Sequence, residues 1–173
     1  MKKFGLVVLI SLIFAAAGHS QTAREIYSTA PSSITGSSAR IVGETDSLLT
    51  LKAAGKADGE FKVVAKTNKE AIVGLAVNDC DASGIKFWSV KGGKWNEITA
   101  RVLKPLGKDD VIAILKASPA TIESLDQTID ISYFHKFSAD SSDLELIARR
   151  QGSCEVAGRV HLYKFNGKRY TKH

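Results

Sequence analysis

Ala71-Ile72-Val73-Gly74-Leu75-Ala76-Val77 carries no polar side chain at any of its seven positions. Seven residues suit a strand better than a buried helix, and an unbroken apolar run, in place of an alternating one, marks a strand covered on both faces. The flanking sequence supports that reading. On the N-terminal side, Thr67-Asn68-Lys69-Glu70 is a turn, preceded by the strand Phe61 to Lys66. A further strand is expected from Ser47 to Ala53, set off by the glycine-bounded break from Gly55 to Gly59. On the C-terminal side, Gly84 to Val90 and Lys94 to Thr99 are short strand candidates flanking Lys91-Gly92-Gly93. Paired glycines between two such runs are a hairpin signal, because they supply the positive φ angles of a tight turn.

Further along, Asp109 and Asp110 stand before Val111, Ile114 and Leu115, which share one helical face, and Pro119 closes the segment. Acidic residues favour a helix N-terminus, so a short helix is expected there. Strand rhythm then resumes. From Gln127 to Phe137, Ile129, Ile131, Tyr133 and Phe137 fall on one face, while Thr128, Asp130, Ser132 and Lys136 fall on the other. That is the period of two of a half-solvated antiparallel strand. Asp143 to Arg150 follows, and Val156 to Phe165 is expected to pair with Arg169 to Lys172 through a two-residue turn at Asn166-Gly167. About nine short strands with one or two short helices give a mainly β fold of antiparallel sheets, sandwich- or barrel-like, with α+β as the alternative.

The 173 residues suit one globular domain. Lys2 and Lys3 precede an uncharged apolar run from Phe4 to Ala17, which breaks at Gly18-His19-Ser20. A positive start, a short apolar middle and small residues at the break describe a secretory signal peptide. The run falls short of the ~20 residues a membrane span needs. The expected organisation is a signal peptide over 1–20, a flexible N-terminal segment over 21–43 with a helical turn at Ala23 to Ser28 before Pro31, and a β-rich domain over 44–173, with no membrane span after cleavage. Loss of Lys2 and Lys3 takes the formal charge from +6 to +4. The excess is modest, so no nucleic-acid partner is expected. The basic residues Lys164, Lys168, Arg169 and Lys172 leave room for attraction to an anionic envelope polymer.

Cys80 and Cys154 are the only cysteines. An even count in an exported chain reads as a disulfide, and no C-x-x-C pair suggests a metal site. The stretch from Ile85 to Thr99, with its Gly93-Lys94-Trp95 hairpin, and the closing Leu162 to Tyr170 with Asn166-Gly167-Lys168, resemble secreted bacterial proteins built on a β-rich domain of unknown function. The resemblance implies an exported, periplasmic or extracellular β-rich domain and brings no catalytic residues with it.

Several groupings bear on chemistry. Asp79, Asp81 and Ser83 before Gly84 have the alternating oxygen spacing that opens a calcium loop. The bidentate acid such a loop needs at its twelfth position is replaced by Val90, so these residues read as a turn, and no metal or other cofactor is expected. His135 and His161 lie in separate strands and could face one another across a sheet, joined by Asp130 or Glu145. Neither an H-E-x-x-H nor a G-x-S-x-G motif occurs. Trp88, Trp95, Tyr163 and Tyr170 would form a binding surface if exposed together, seating sugar rings or a protein partner. The expected function is therefore a non-catalytic binding domain acting on an envelope protein or polymer. The alternative is a small secreted hydrolase using carboxylates or His135 and His161.

Overall fold

The computed structural model describes residues 21–36, 39–53, 57–80, 83–118, 131–150 and 153–173. The expected signal peptide lies outside them, as do Asp81 and residues 127–130.

The strands form two antiparallel sheets, each in simple sequence order. The first holds β1 (Arg40–Glu44), β2 (Leu48–Lys52), β3 (Asp58–Lys66), β4 (Ala71–Asn78), β5 (Ser83–Lys91) and β6 (Lys94–Glu97). The second holds β7 (Tyr133–Phe137), β8 (Leu144–Arg149), β9 (Val156–Phe165) and β10 (Tyr170–Lys172). Helices α1 (Ala23–Ser28) and α2 (Ser32–Thr35) precede the first sheet, and α3 (Thr99–Val102) and α4 (Lys108–Ala117) lie between the two in sequence. The fold is mainly β, as expected, with four short helices among the described residues where one or two were anticipated, and the sheets do not close into a barrel.

Strand β4 shows why its sequence is apolar throughout. Ala71, Val73 and Leu75 face a cluster with Leu49, Phe61 and Trp88 that α1 seals with Ala23 and Ile26. Ile72 and Ala76 face the opposite cluster, where Phe87 meets Phe137, Leu144, Leu146 and Tyr163 of the second sheet. The first sheet is thus a middle layer, with helices on one side and the second sheet on the other. Helix α4 packs on β8 and β9 and adds Ile114 to the core between the sheets.

The two sheets are also joined by polar side chains. Strand β7 is an edge strand, pairing only with β8. Side chains of the first sheet satisfy its free edge. Ser83 Oγ donates to the Tyr133 carbonyl, Asn78 Nδ2 donates to the His135 carbonyl at 3.2 Å, and the Phe137 amide donates to Glu60 Oε2 at 2.7 Å. Just beyond the strand, the buried Lys62 ammonium donates to the carbonyls of Ser138 (3.0 Å) and Ala139 (3.1 Å) and to Ser47 Oγ. An unpaired edge is an invitation to pair with another chain, and here the protein's own side chains occupy it.

Two sequence expectations change. The described residues of the 21–43 segment are part of the fold, because Ala23 and Ile26 are buried, Thr22 caps α1 with Glu25 in a capping box, and Arg40–Glu44 forms the edge strand β1. The Asn166-Gly167 turn is wider than two residues, since Phe165 pairs with Tyr170. Only Gly167 has a positive φ there, at 89°, whereas a type I′ turn needs it at both positions. Asn166 instead accepts the Lys168 and Arg169 amides through Oδ1, which closes a longer loop. The two-residue hairpin is at Gly92 and Gly93, with φ of 55° and 76° and Lys91 paired with Lys94.

Candidate functional site: a tryptophan-lined groove

The four aromatic residues expected to share a surface separate into two places. Tyr163 and Tyr170 are buried between the sheets, where Tyr170 Oη donates to the Ser142 carbonyl at 2.8 Å and burial raises the pKa of its phenol. Burial, with Asp110 nearby, pushes the Tyr163 phenol up to about 12. They are core residues. Trp88, buried in the cluster that α1 seals, and the half-buried Trp95 lie together on the opposite face of the first sheet, edge to face with ring centroids 6.3 Å apart. The register explains this: Trp95 pairs with Val90 and Trp88 with Glu97, so both tryptophans project from the same face of one hairpin.

The two rings border an open groove of about 630 Å³. Leu75 and Val77 of β4 add to its lining, and Ser33 and Ile34 of α2, with Pro31 just before it, stand along it. Lys86 and Glu97 form an ion pair of 3.4 Å at exposed positions bordering it. The groove exists because α1 and the short α2 do not cover the whole face. Val77, at the far end of β4, keeps 41% of its surface exposed. A side chain added at Gly84, which pairs with Val77, would meet nothing within 4 Å. The indole Nε1 of Trp95 is buried with no hydrogen-bond partner within the described residues, an arrangement that normally calls for one.

Comparison with protein-family models, curated proteins and solved structures finds no match. Geometry carries the functional argument alone.

The two histidines are brought near each other but not together. His135 and His161 each pair with Leu146, one on either side, so they stand two strand spacings apart, roughly 10 Å along the sheet. Glu145 does not join them, because it faces Arg159 at 3.0 Å; Asp130 lies outside the described residues. The carboxylate near His161 is one that sequence reasoning did not assign to it. His161 Nε2 lies 3.0 Å from Asp110 Oδ1 without hydrogen-bond alignment, and Lys172 Nζ donates to the same oxygen. Burial opposes charge on Asp110, but Lys172 and the Gly107 amide outweigh it and hold the carboxyl below its usual range. Asp110 thereby ties α4 to β9 and β10. The acidic pair at the start of α4 was legible as a helix N-terminus, while its partners came from strands far along the chain.

The middle of the expected turn from Asp79 to Gly84 lies outside the described residues. Asp79 Oδ1 accepts the Cys80 amide at 2.6 Å, and Ser83 is committed to the Tyr133 carbonyl. Asp81 lies outside the described residues. Among the described residues no group of three His, Cys, Asp or Glu side chains could hold a metal ion.

His135 has a measurable consequence. Burial lowers its pKa from 6.5 to about 4. Above pH 6.5 the imidazole is neutral in both folded and unfolded chains and contributes no pH dependence. Between pH 6.5 and 4 the unfolded chain takes up a proton that the folded protein refuses, so stability falls as pH falls, by at most about 3 kcal/mol in total. Urea unfolding at pH 7 and pH 4.5 should show the native protein losing more stability than the His135→Leu variant, with most of the difference arising below pH 6. Equal losses in the two proteins would show that His135 titrates normally.

Proposed function

We propose that this chain is a non-catalytic binding domain exported to the cell envelope, holding an envelope protein or polymer in the groove beside Trp88 and Trp95. The observation that carries this reading is the groove itself. Its volume of about 630 Å³ is within the range of roughly 300–1,000 Å³ typical of ligand sites. Its lining also has the usual composition of such sites, with aromatic and aliphatic side chains and a few polar groups at the border. A disulfide supports an oxidising compartment, and no described helix is long and apolar enough to cross a membrane. The alternative, a small secreted hydrolase, draws on carboxylates or on His135 and His161, and these two histidines stand on either side of Leu146, two strand spacings apart.

The chain has only two tryptophans, and both border the groove, so all indole emission reports on this site. Titrating the purified domain with separated protein and polysaccharide fractions of an envelope extract should shift or quench that emission for one fraction. Gly84→Phe supplies the control, since its ring would occupy the groove without a backbone clash. This variant should fold with native stability and lose the response, with affinity reduced at least tenfold. A response that persists unchanged in Gly84→Phe would place binding elsewhere, and no response to either fraction would refute the reading.

A further inference from the structure

We infer that the mature protein begins with a pyroglutamyl residue, formed by cyclisation of Gln21. The inference rests on export with cleavage after Ser20, which makes Gln21 the first residue and leaves it with a free α-amine. In the reaction the neutral α-amine attacks Cδ of the same residue's side-chain amide. A nitrogen–carbon bond closes a five-membered lactam, the Cδ–Nε2 bond breaks, and the side-chain nitrogen leaves as ammonia. No oxidant, reductant or other co-reactant is needed. Nucleophile and electrophile belong to one residue, which gives the step the advantage of an intramolecular reaction.

The structure supplies two conditions that favour it. The first is that the fold holds the chain from Thr22 onward and leaves the Gln21 side chain exposed. Thr22 N donates to Glu25 Oε2 at 2.8 Å and Thr22 Oγ1 accepts the Glu25 amide, closing the capping box of α1. The Ala23 amide donates to the Asp46 carbonyl at 2.8 Å, and its side chain is fully buried. Gln21 stands just outside this lock and is exposed to solvent, so its side chain has room to fold back on the amine.

The second condition is electrostatic. Lys66 Nζ donates to the backbone carbonyl of Gln21 at 2.5 Å, which fixes an ammonium group beside the new chain end. An ordinary α-amine, with a pKa near 8, is mostly protonated at neutral pH and is then no nucleophile. Lys66 disfavours the protonated form, against the Glu25 carboxylate on the Thr22 amide, which favours it, so the reactive fraction is larger with Lys66 than without it. Cyclisation then removes one of the two adjacent positive charges. The bond from Lys66 survives, because it uses the main-chain carbonyl and not the side-chain amide that reacts.

The test is intact mass of the native, disulfide-bonded protein recovered from the exported fraction, together with labelling by an amine-reactive reagent and N-terminal peptide mapping. The expected mass is that of the chain from Gln21 less one ammonia, with an N-terminal peptide that resists both labelling and stepwise N-terminal degradation. Freshly cleaved protein should convert with time at neutral pH, and Lys66→Met should slow that conversion roughly two- to fivefold. Gln21→Ala should keep its amine with the fold unchanged. A chain that begins at Gln21 and retains its amine after prolonged incubation would overturn cyclisation alone. A chain that begins at another residue would overturn the cleavage reading and the cyclisation with it. Equal rates in Lys66→Met and the native protein would remove Lys66 from the mechanism.

Discussion

Removing the Cys80–Cys154 disulfide is expected to cost about 4 kcal/mol of stability. The two cysteines are 74 positions apart and their Cα atoms lie 5.0 Å apart. Cys80 follows the end of β4 and Cys154 precedes β9, so the bond links the exit of the first sheet's central strand to the entry of the second sheet's longest one. Closing so long a loop removes much of the freedom of the unfolded chain, which is the source of the stabilisation in the chain-entropy account. Contacts around the bridge hold its surroundings together in the folded state. Arg149 donates to the Asp79 carbonyl next to Cys80 and lies 4.6 Å from the centre of the Phe134 ring. Cys80→Ser, Cys154→Ser and the double variant should unfold in urea at similarly lowered midpoints, since either change alone breaks the whole link. A loss below about 1 kcal/mol would mean that native contacts, and not the bond, hold this corner.

How much of this was legible in the sequence differs from element to element. Strand β4 announced itself because burial on two faces leaves a local trace, a run with no polar residue. Gly92-Gly93 was legible because positive φ at two successive positions nearly demands glycine. Asn166-Gly167 carried a similar signal and gave a wider loop, since the Asn166 side chain found amide partners that hold the loop open. In the 21–43 segment the helical turn at Ala23 to Ser28 is legible and its docking is not, for the opposite reason. Ala23, Ile26, Ile34 and Ile41 are sparse apolar residues among polar ones, and what buries or half-buries them is a sheet face formed by residues much further along the chain. No local pattern records such a docking.

The groove was half legible. Hairpin register places Trp88 and Trp95 on one face, and that register follows from Gly92-Gly93. Its other side, contributed by Pro31, Ser33 and Ile34, depends on how α2 docks, which sequence spacing does not encode. Tyr163 and Tyr170 looked the same as the tryptophans in sequence: aromatic residues in strands beside a glycine turn. They differ in what lies opposite. The inner face of the second sheet meets the first sheet and α4, whereas the outer face of the first sheet is only partly covered by α1 and α2.

Gly74→Val is expected to destabilise the protein by about 4 kcal/mol, at the upper end for an overpacked core position. Gly74 is the one position of β4's inner face without a side chain between Ile72 and Ala76, and its cross-strand neighbours are Lys62 and Phe87. The Phe87 and Phe137 rings meet there edge to face, with centroids 6.1 Å apart. A Cβ on residue 74 would stand 2.5 Å from Phe137 Cζ and 2.7 Å from Phe87 Cε1, so even alanine cannot enter without moving a ring. Both rings belong to fully buried residues, and a close-packed interior yields little to such a demand. Relief must come through Phe137, whose strand the first sheet grips by Glu60 and Asn78, or through Phe87, held within the first sheet itself. Gly74→Ala should lose about 2–3 kcal/mol in urea unfolding. Adding Phe137→Leu to that variant should cost less than Phe137→Leu costs in the native background, because the smaller side chain releases the clash that alanine creates. If the two changes were simply additive, Phe137 would not be the atom neighbour that keeps residue 74 a glycine, and the contact between the sheets would have to be looser at this point than 2.5 Å implies.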